Sequence, residues 1–387
     1  MMELIPGNRL TLLKNGAEYF PALESAIDRA RREIFLETYI YEYDATGRRI
    51  SAALERAARR GVTVHLLLDG FGARTLPEMV VEEMRAAGMQ VMFYRPDVTF
   101  RFKRHRLRRL HRKIAVIDTK IAFVGGINII DDMDTPDQVP PRFDYAVAVE
   151  GPLLGEIHQS ARRLWRMLSW LQFRRYRSRK KNKSLHLAPR GSMAAAFVRR
   201  DNIRRRHDIE NAYLEAIASA RKEIIIANAY FLPGRHFRQA LIAAAERGVR
   251  VVLLLQGRVE YFLLHYASRA LYGALLEAGI EIYGYHRSFL HAKVAVIDGL
   301  WATVGSSNID PFSLMLAREA NVVALDAGFA ATLRDSLLEA VSEGSQRIAP
   351  DRWKLQPLYL RFTAWASYGL VRFLMGMAGY ARRYEDA

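Results

Sequence analysis

Residues 111–118 read His111-Arg112-Lys113-Ile114-Ala115-Val116-Ile117-Asp118, and residues 291–298 read His291-Ala292-Lys293-Val294-Ala295-Val296-Ile297-Asp298. The runs Ile114 to Ile117 and Val294 to Ile297 are short, apolar and rich in β-branched residues, so each predicts a buried strand. Side chains alternate across a strand. His111 and Lys113 therefore share a face, as do His291 and Lys293, while Asp118 and Asp298 have the opposite parity. A tight turn at 119–120 returns the chain as a second strand, Ile121 to Val124. Each copy then continues into small residues and an asparagine: Gly125-Gly126-Ile127-Asn128 and Gly305-Ser306-Ser307-Asn308. Gly126 and Ser306 would permit close backbone approach by a ligand.

Working outward, two more blocks recur in the same order. Ala26-Ile27-Asp28-Arg29-Ala30-Arg31-Arg32-Glu33-Ile34 matches Ala216-Ile217-Ala218-Ser219-Ala220-Arg221-Lys222-Glu223-Ile224, and Arg60-Gly61-Val62-Thr63-Val64 matches Arg247-Gly248-Val249-Arg250-Val251. Duplication of a unit of roughly 180 residues explains the series, and that is an ordinary size for one core. Each half predicts a helix (Ala17 to Arg32; Ile209 to Lys222), a strand (Ile34 to Tyr39; Ile224 to Tyr230), a second helix (Arg48 to Arg60; Phe237 to Arg247) ended by Gly61 or Gly248, and a buried strand (Val62 to Leu68; Val249 to Leu255). Strands alternating with helices imply an α/β fold with largely parallel central strands. The expected organisation is a first domain over 1–177, a basic linker over 178–192, a second domain over 193–350 and a tail over 351–387.

Two histidines, two lysines and two asparagines in equivalent places suit a phosphate ester. Lysine ammonium groups and the amides of Asn128 and Asn308 can hold phosphate oxygens. One histidine can attack phosphorus while the other protonates the leaving oxygen, then acts as base for an incoming hydroxyl. Such chemistry needs no metal or other cofactor, and the sequence has no motif that would bind one. A histidine nucleophile also needs an orienting group. Each motif is followed by an acid at the start of an apolar strand, and the reading pairs them within each half: Asp144 with His111 and Glu319 with His291.

Composition narrows the partner. The chain of 387 residues carries 58 Lys and Arg against 41 Asp and Glu, a net charge of +17, which predicts an anionic partner. Without cysteine, disulfides, zinc–thiolate sites and a cysteine nucleophile are excluded. The N-terminus shows no signal-peptide pattern. Arg101, Lys103, Arg104 and Arg106 lie in a cationic run interleaved with Phe100, Phe102, Leu107 and Leu110, a composition suited to an anionic lipid interface. From Leu358 to Tyr380 the only charges are Arg361 and Arg372, which share a helical face with Tyr368, while Trp365, Phe362, Phe373, Met375 and Met377 cover much of the rest. That predicts an in-plane amphipathic or shallowly inserted helix rather than a span, and it favours a membrane over nucleic acid as partner.

The doubled motif resembles the phospholipase D superfamily, whose members carry two HKD motifs, and the chain is most similar to bacterial cardiolipin synthases of the short form without N-terminal membrane spans. Glu37-Thr38-Tyr39-Ile40 with Asp44 and Gly47, Leu68-Asp69-Gly70-Phe71-Gly72, Glu150-Gly151-Pro152, Ala229-Tyr230-Phe231-Leu232-Pro233, Asn308-Ile309-Asp310-Pro311 and Glu319-Ala320-Asn321 extend the likeness from about residue 8 to about residue 350. It implies two tandem, pseudo-twofold-related α/β/α sandwich domains with a mixed central sheet and a C-terminal amphipathic helical tail. It implies a catalytic set of His111, Lys113, Asp118, His291, Lys293 and Asp298, although parity turns the two aspartates away and suggests that they fix the fold. It further implies a phosphatidyl-histidine intermediate on His111, His291 as acid and base, phosphatidylglycerol as substrate and a place on the cytoplasmic face of the bacterial inner membrane. A phospholipase D or transphosphatidylase using phosphatidylethanolamine or water is the alternative. A nuclease of the same fold and a membrane scaffold with an inactive site are the competing readings.

Overall fold

The computed structural model describes residues 2–95, 108–135, 139–172, 187–201 and 205–377. The first half runs β1 (Ile5–Lys14), α1 (Asn15–Asp28), β2 (Glu33–Thr38), α2 (Ala45–Arg59), β3 (Thr63–Asp69), α3 (Glu78–Ala86), β4 (Gln90–Tyr94), β5 (Lys113–Ile117), β6 (Ile121–Gly125), β7 (Tyr145–Glu150) and α4 (Leu154–Leu171). The second runs β8 (Met193–Arg200), α5 (Asp208–Ser219), β9 (Glu223–Asn228), α6 (Arg235–Glu246), β10 (Arg250–Gln256), α7 (Phe262–Arg269), α8 (Tyr272–Glu277), β11 (Glu281–Tyr285), β12 (Lys293–Ile297), β13 (Trp301–Gly305), α9 (Pro311–Met315), β14 (Glu319–Leu325), α10 (Ala327–Gly344) and β15 (Ser345–Arg347). Helices α11 (Pro350–Lys354) and α12 (Leu358–Met377) close the described chain.

In each half a parallel trio (β2, β3 and β4; β9, β10 and β11) meets an antiparallel hairpin carrying the motif (β5 and β6; β12 and β13). The halves do not keep separate sheets. β1 and β8 pair antiparallel, so the described strands form one mixed sheet of order β15-β11-β10-β9-β12-β13-β14-β8-β1-β7-β6-β5-β2-β3-β4. Ile114 and Val116 on β5, like Val294 and Val296 on β12, face a core that both halves share and that α4 and α10 cover. Ala115 and Ile117 face a second core under α1, α2 and α3, and Ala295 and Ile297 a third under α5, α6 and α8. Burial on both faces is why these strands read as continuous apolar runs, and each buried aliphatic side chain contributes about 1.5–3 kcal/mol.

Repetition extends to single turns. Gly61 and Gly248 both sit at φ +86° and end their helices with matched bonds: Gly61 N–H to Ala58 O and Val62 N–H to Ala57 O, Gly248 N–H to Ala245 O and Val249 N–H to Ala244 O. The expected helices through Arg32 and Lys222 stop earlier, at Asp28 and Ser219. The cause is Asp118, whose carboxylate accepts the backbone N–H groups of Arg31, Arg32 and Glu33 at 2.8, 2.8 and 3.0 Å. Asp298 does the same for Arg221, Lys222 and Glu223 at 2.8, 2.8 and 3.0 Å. Both aspartates are thus engaged with backbone N–H groups, and neither lines the cavity that the histidines share. They stand at the end of the motif strand remote from the histidine and clamp the entry to β2 or β9, as parity suggests.

The tail corrects another expectation. α12 turns Ala364, Ser367, Val371 and Met375 inward, against Leu232, Ala267, Leu271, Met315 and Leu316, so Met375 is core rather than surface. Leu358, Tyr359, Phe362, Trp365 and Phe373 stay exposed on the other side. Packing and exposure are thus combined in one helix. Arg361 and Arg372 are exposed, and the Arg372 guanidinium lies 5.8 Å from the Tyr368 ring centre. No helix among the described residues is long and apolar enough to cross a membrane.

Candidate active site

The carboxyl ends of β2 and β9 converge on one cavity of about 290 Å³. Tyr39 reaches it from the end of β2 and Tyr230 from the end of β9; His111, His291, Asn128 and Asn308 line it together. Each histidine precedes its motif strand and is pinned to the opposite half. His111 N–H donates to Arg318 O at 3.0 Å, and His291 N–H donates to Phe143 O at 2.8 Å.

Those two bonds set up an exchange of acids. His111 Nδ1 is 2.8 Å from Glu319 Oε1, and His291 Nδ1 is 2.6 Å from Asp144 Oδ2. The pairing read from sequence, Asp144 with His111 and Glu319 with His291, is reversed. Proximity in the chain misled, because the segments carrying Asp144 and Glu319 run beside the histidine of the other half, bridged at Phe143–Leu290 and Leu110–Arg318. A carboxylate oxygen accepts, so each Nδ1 carries the proton and each Nε2 keeps a lone pair for the cavity.

The lysines stand beside the imidazoles. Lys113 Nζ donates to His111 O at 2.7 Å, Lys293 Nζ donates to His291 O, and Lys293 Nζ is also 3.8 Å from Asp144 Oδ2. Asn128 accepts from Ile40 N–H at 3.1 Å through Oδ1, which directs its amide NH₂ elsewhere. Gly126 and Ser306 do not line the cavity, contrary to expectation. They sit behind the acids instead. A Cβ at Gly126 would overlap the Asp144 carboxylate, and Ser306 Oγ donates to Glu319 Oε2 at 2.5 Å. Smallness at these positions makes room for the carboxylates that hold the histidines.

Other neighbours fix the frame. Arg112 faces away from Lys113 and, fully buried, forks onto Glu37, with Nη2 to Oε1 at 2.8 Å and Nη1 to Ser160 Oγ at 2.9 Å on α4. Leu110 is wholly buried, so it is no part of an interfacial run. Arg101, Lys103, Arg104 and Arg106, with Phe100, Phe102 and Leu107, lie outside the described residues, as does most of the linker. Arg142, Glu260 and Asp132 also line the cavity and were missed by sequence reasoning. None has an equivalent in the other copy of the motif, so the repeat offers no signal for them.

Burial dominates the electrostatics. It pushes the His291 imidazole down to about 3, with Lys293 adding to the effect and Asp144 opposing it. His111 is likewise held below its ordinary value by burial, against the Glu319 carboxylate. Lys113 falls to about 7, and Lys293 is lowered too. The cavity is thus lined by neutral imidazoles, while Lys113, poised near neutrality, and Lys293 are buried beside them without lining it. An anion placed there favours the protonated forms. Above pH 7 Lys113 must take up a proton to bind a phosphodiester, so affinity for a soluble glycerophosphodiester should fall by up to about tenfold per pH unit beyond that point. Inhibition measured from pH 6 to pH 9 checks this; an affinity flat across the range contradicts it.

A family model described as "Cardiolipin synthase, PLD-like domain" matches residues 23–135 and 213–340. Cardiolipin synthase B of Escherichia coli K12 is 41% identical over 372 residues, covering 92% of this chain and 87% of that one. The Salmonella typhi protein of the same name is 42% identical over 342 residues, 86% of this chain and 80% of that one. The major cardiolipin synthase ClsA of Bacillus subtilis is 29% identical over 357 residues, 92% of this chain and 73% of that one. Among solved structures, phosphatidylserine synthase from Haemophilus influenzae shares the fold at a TM-score of 0.66 and 13% identity, over 99% of this chain and 97% of that one.

Proposed function

Because the chain belongs to the cardiolipin synthase family of phospholipase D-like proteins, we propose that it transfers the phosphatidyl group of one phosphatidylglycerol to a hydroxyl of another, making cardiolipin and releasing glycerol. It is a phosphatidyltransferase. His111 Nε2 attacks phosphorus, and the bond to the glycerol oxygen breaks as His291 gives that oxygen its proton. His291, now neutral, takes the proton of the second phosphatidylglycerol hydroxyl. That oxygen attacks phosphorus and His111 leaves. Lys113 and Lys293 offset the charge on the equatorial oxygens, and the amides of Asn128 and Asn308 hold them. The anionic phosphodiester itself restores the proton that burial takes from His291.

One observation carries this reading: two imidazoles, each held at Nδ1 by a carboxylate from the other half, line a single cavity. Membrane association follows from the substrate. The exposed Phe362, Trp365 and Phe373 of α12, flanked by Arg361 and Arg372, suit the headgroup layer of an anionic bilayer, on the cytoplasmic face of the cell membrane in a bacterium.

Purified protein incubated with phosphatidylglycerol vesicles should release free glycerol and cardiolipin in equal amounts. Phosphatidic acid alone would mean transfer to water. DNA cleavage without lipid turnover would replace the reading with a nuclease. Release of ethanolamine from vesicles containing phosphatidylethanolamine would widen the donor range.

A further inference from the structure

α4 buries Ile157, Ala161, Leu164, Trp165 and Leu168 in the shared core. Its last turns present the opposite composition: Arg163, Arg166, Met167, Trp170 and Leu171 are all exposed, Trp170 to 77% and Leu171 to 56%. Single exposed apolar residues need no explanation, but a tryptophan, a leucine and a methionine on one face with two arginines and no acid form a patch. Cationic guanidinium groups beside an indole are the composition that settles at the headgroup level of an anionic bilayer.

Position supports the same partner. The end of α4 is tied to β4, where Gln172 Nε2 donates to Phe93 O at 3.1 Å. The next residue, Tyr94, lies under the Arg318 guanidinium, 6.0 Å from ring centre to charge, and Arg318 O is the acceptor of the His111 N–H. The patch therefore stands at the carboxyl end of β4, two contacts from the segment that holds His111. α12 stands in the corresponding relation to the second half, because Leu264 and Leu316 both pack against it and line the cavity.

We propose that the exposed face at the C-terminal end of α4 is a second bilayer contact, which together with α12 brackets the cavity mouth and holds it against the lipid phosphates. One contact leaves the protein free to pivot on the surface; two, one from each half, fix the mouth toward the substrate. Self-association is the poorer occupant, since a twofold pairing would set Arg163 and Arg166 against their own copies. The inference rests on the proposed function only in taking phospholipid as the substrate.

The test uses the full chain carrying Trp170→Glu with Leu171→Glu, and separately Trp170→Ala. Co-sedimentation with phosphatidylglycerol vesicles should fall about tenfold for the double variant and several-fold for the single one. Vesicle turnover should fall in step, and turnover of a monomeric short-chain phosphatidylglycerol should match the parent. Where the double variant loses monomeric turnover, Trp170→Ala decides on the same ratio. Vesicle partition equal to the parent overturns the proposal, as does a parent dimer that the substitutions dissolve. Partition is read without catalysis, so a parent that makes no cardiolipin defeats the function and leaves this contrast to stand or fall alone.

Discussion

Glu319→Gln slows the first half of the reaction, while Asp144→Asn spares it and slows the second, when the donor is a phosphatidyl ester of p-nitrophenol. This leaving group needs no proton, so only His111 is required to form the covalent adduct. Glutamine in place of Glu319 no longer holds Nδ1–H by charge and permits the wrong tautomer, and the nitrophenolate burst should slow by about 10²–10⁴-fold. Asparagine in place of Asp144 leaves the burst intact at one equivalent per site, but His291 then lacks the carboxylate that makes it a base, and transfer to an acceptor hydroxyl should slow by about the same factor. The pattern tests the crossed geometry, in which each acid serves the other half's histidine at 2.8 or 2.6 Å. The inverse pattern, a burst surviving in Glu319→Gln and lost in Asp144→Asn, would restore the pairing within each half.

The histidines themselves give the largest effects. Overall turnover should drop by about 10⁴-fold or more in both His111→Ala and His291→Ala, because neither role has a substitute in the cavity. The variants part at the intermediate. With the same activated donor, His291→Ala should give a stoichiometric burst and a protein heavier by one phosphatidyl group, stable to isolation, whereas His111→Ala should give neither. Intact-protein mass spectrometry reads the outcome. An adduct found in His111→Ala and absent from His291→Ala would exchange the two roles.

Much of the fold and site was legible in the sequence because the duplication repeats local chemistry. Apolar β-branched runs after each histidine specify strands buried on both faces, and the glycines at 61 and 248 end their helices with the same pair of bonds. Parity alone separated Asp118 and Asp298 from the reacting groups, and their carboxylates do hold backbone N–H groups elsewhere. What failed depends on how the copies meet. The acids pair across the halves, and nothing in either repeat records its partner's register. Gly126 and Ser306 looked like room for a ligand, yet the space is filled by Asp144 and by the hydroxyl bond to Glu319. Leu110 read as interfacial because its neighbours are cationic, but it bridges to Arg318 of the other half and is wholly buried. In α12 a nearly all-apolar helix gives no periodic signal to separate the side that packs from the side that does not.

The seam where β1 pairs with β8 has a consequence for traffic through the enzyme. Strand pairing continues from one end of the sheet to the other, with a shift of register at the seam between Ile5 and Asn8, and Phe143 and Arg318 stitch the two motif segments across the divide. Hinging the halves apart like jaws would break this pairing and both of those bonds. A path for lipid that left these bonds in place would run past elements outside the sheet such as α7, whose Leu264 both lines the cavity and packs against α12.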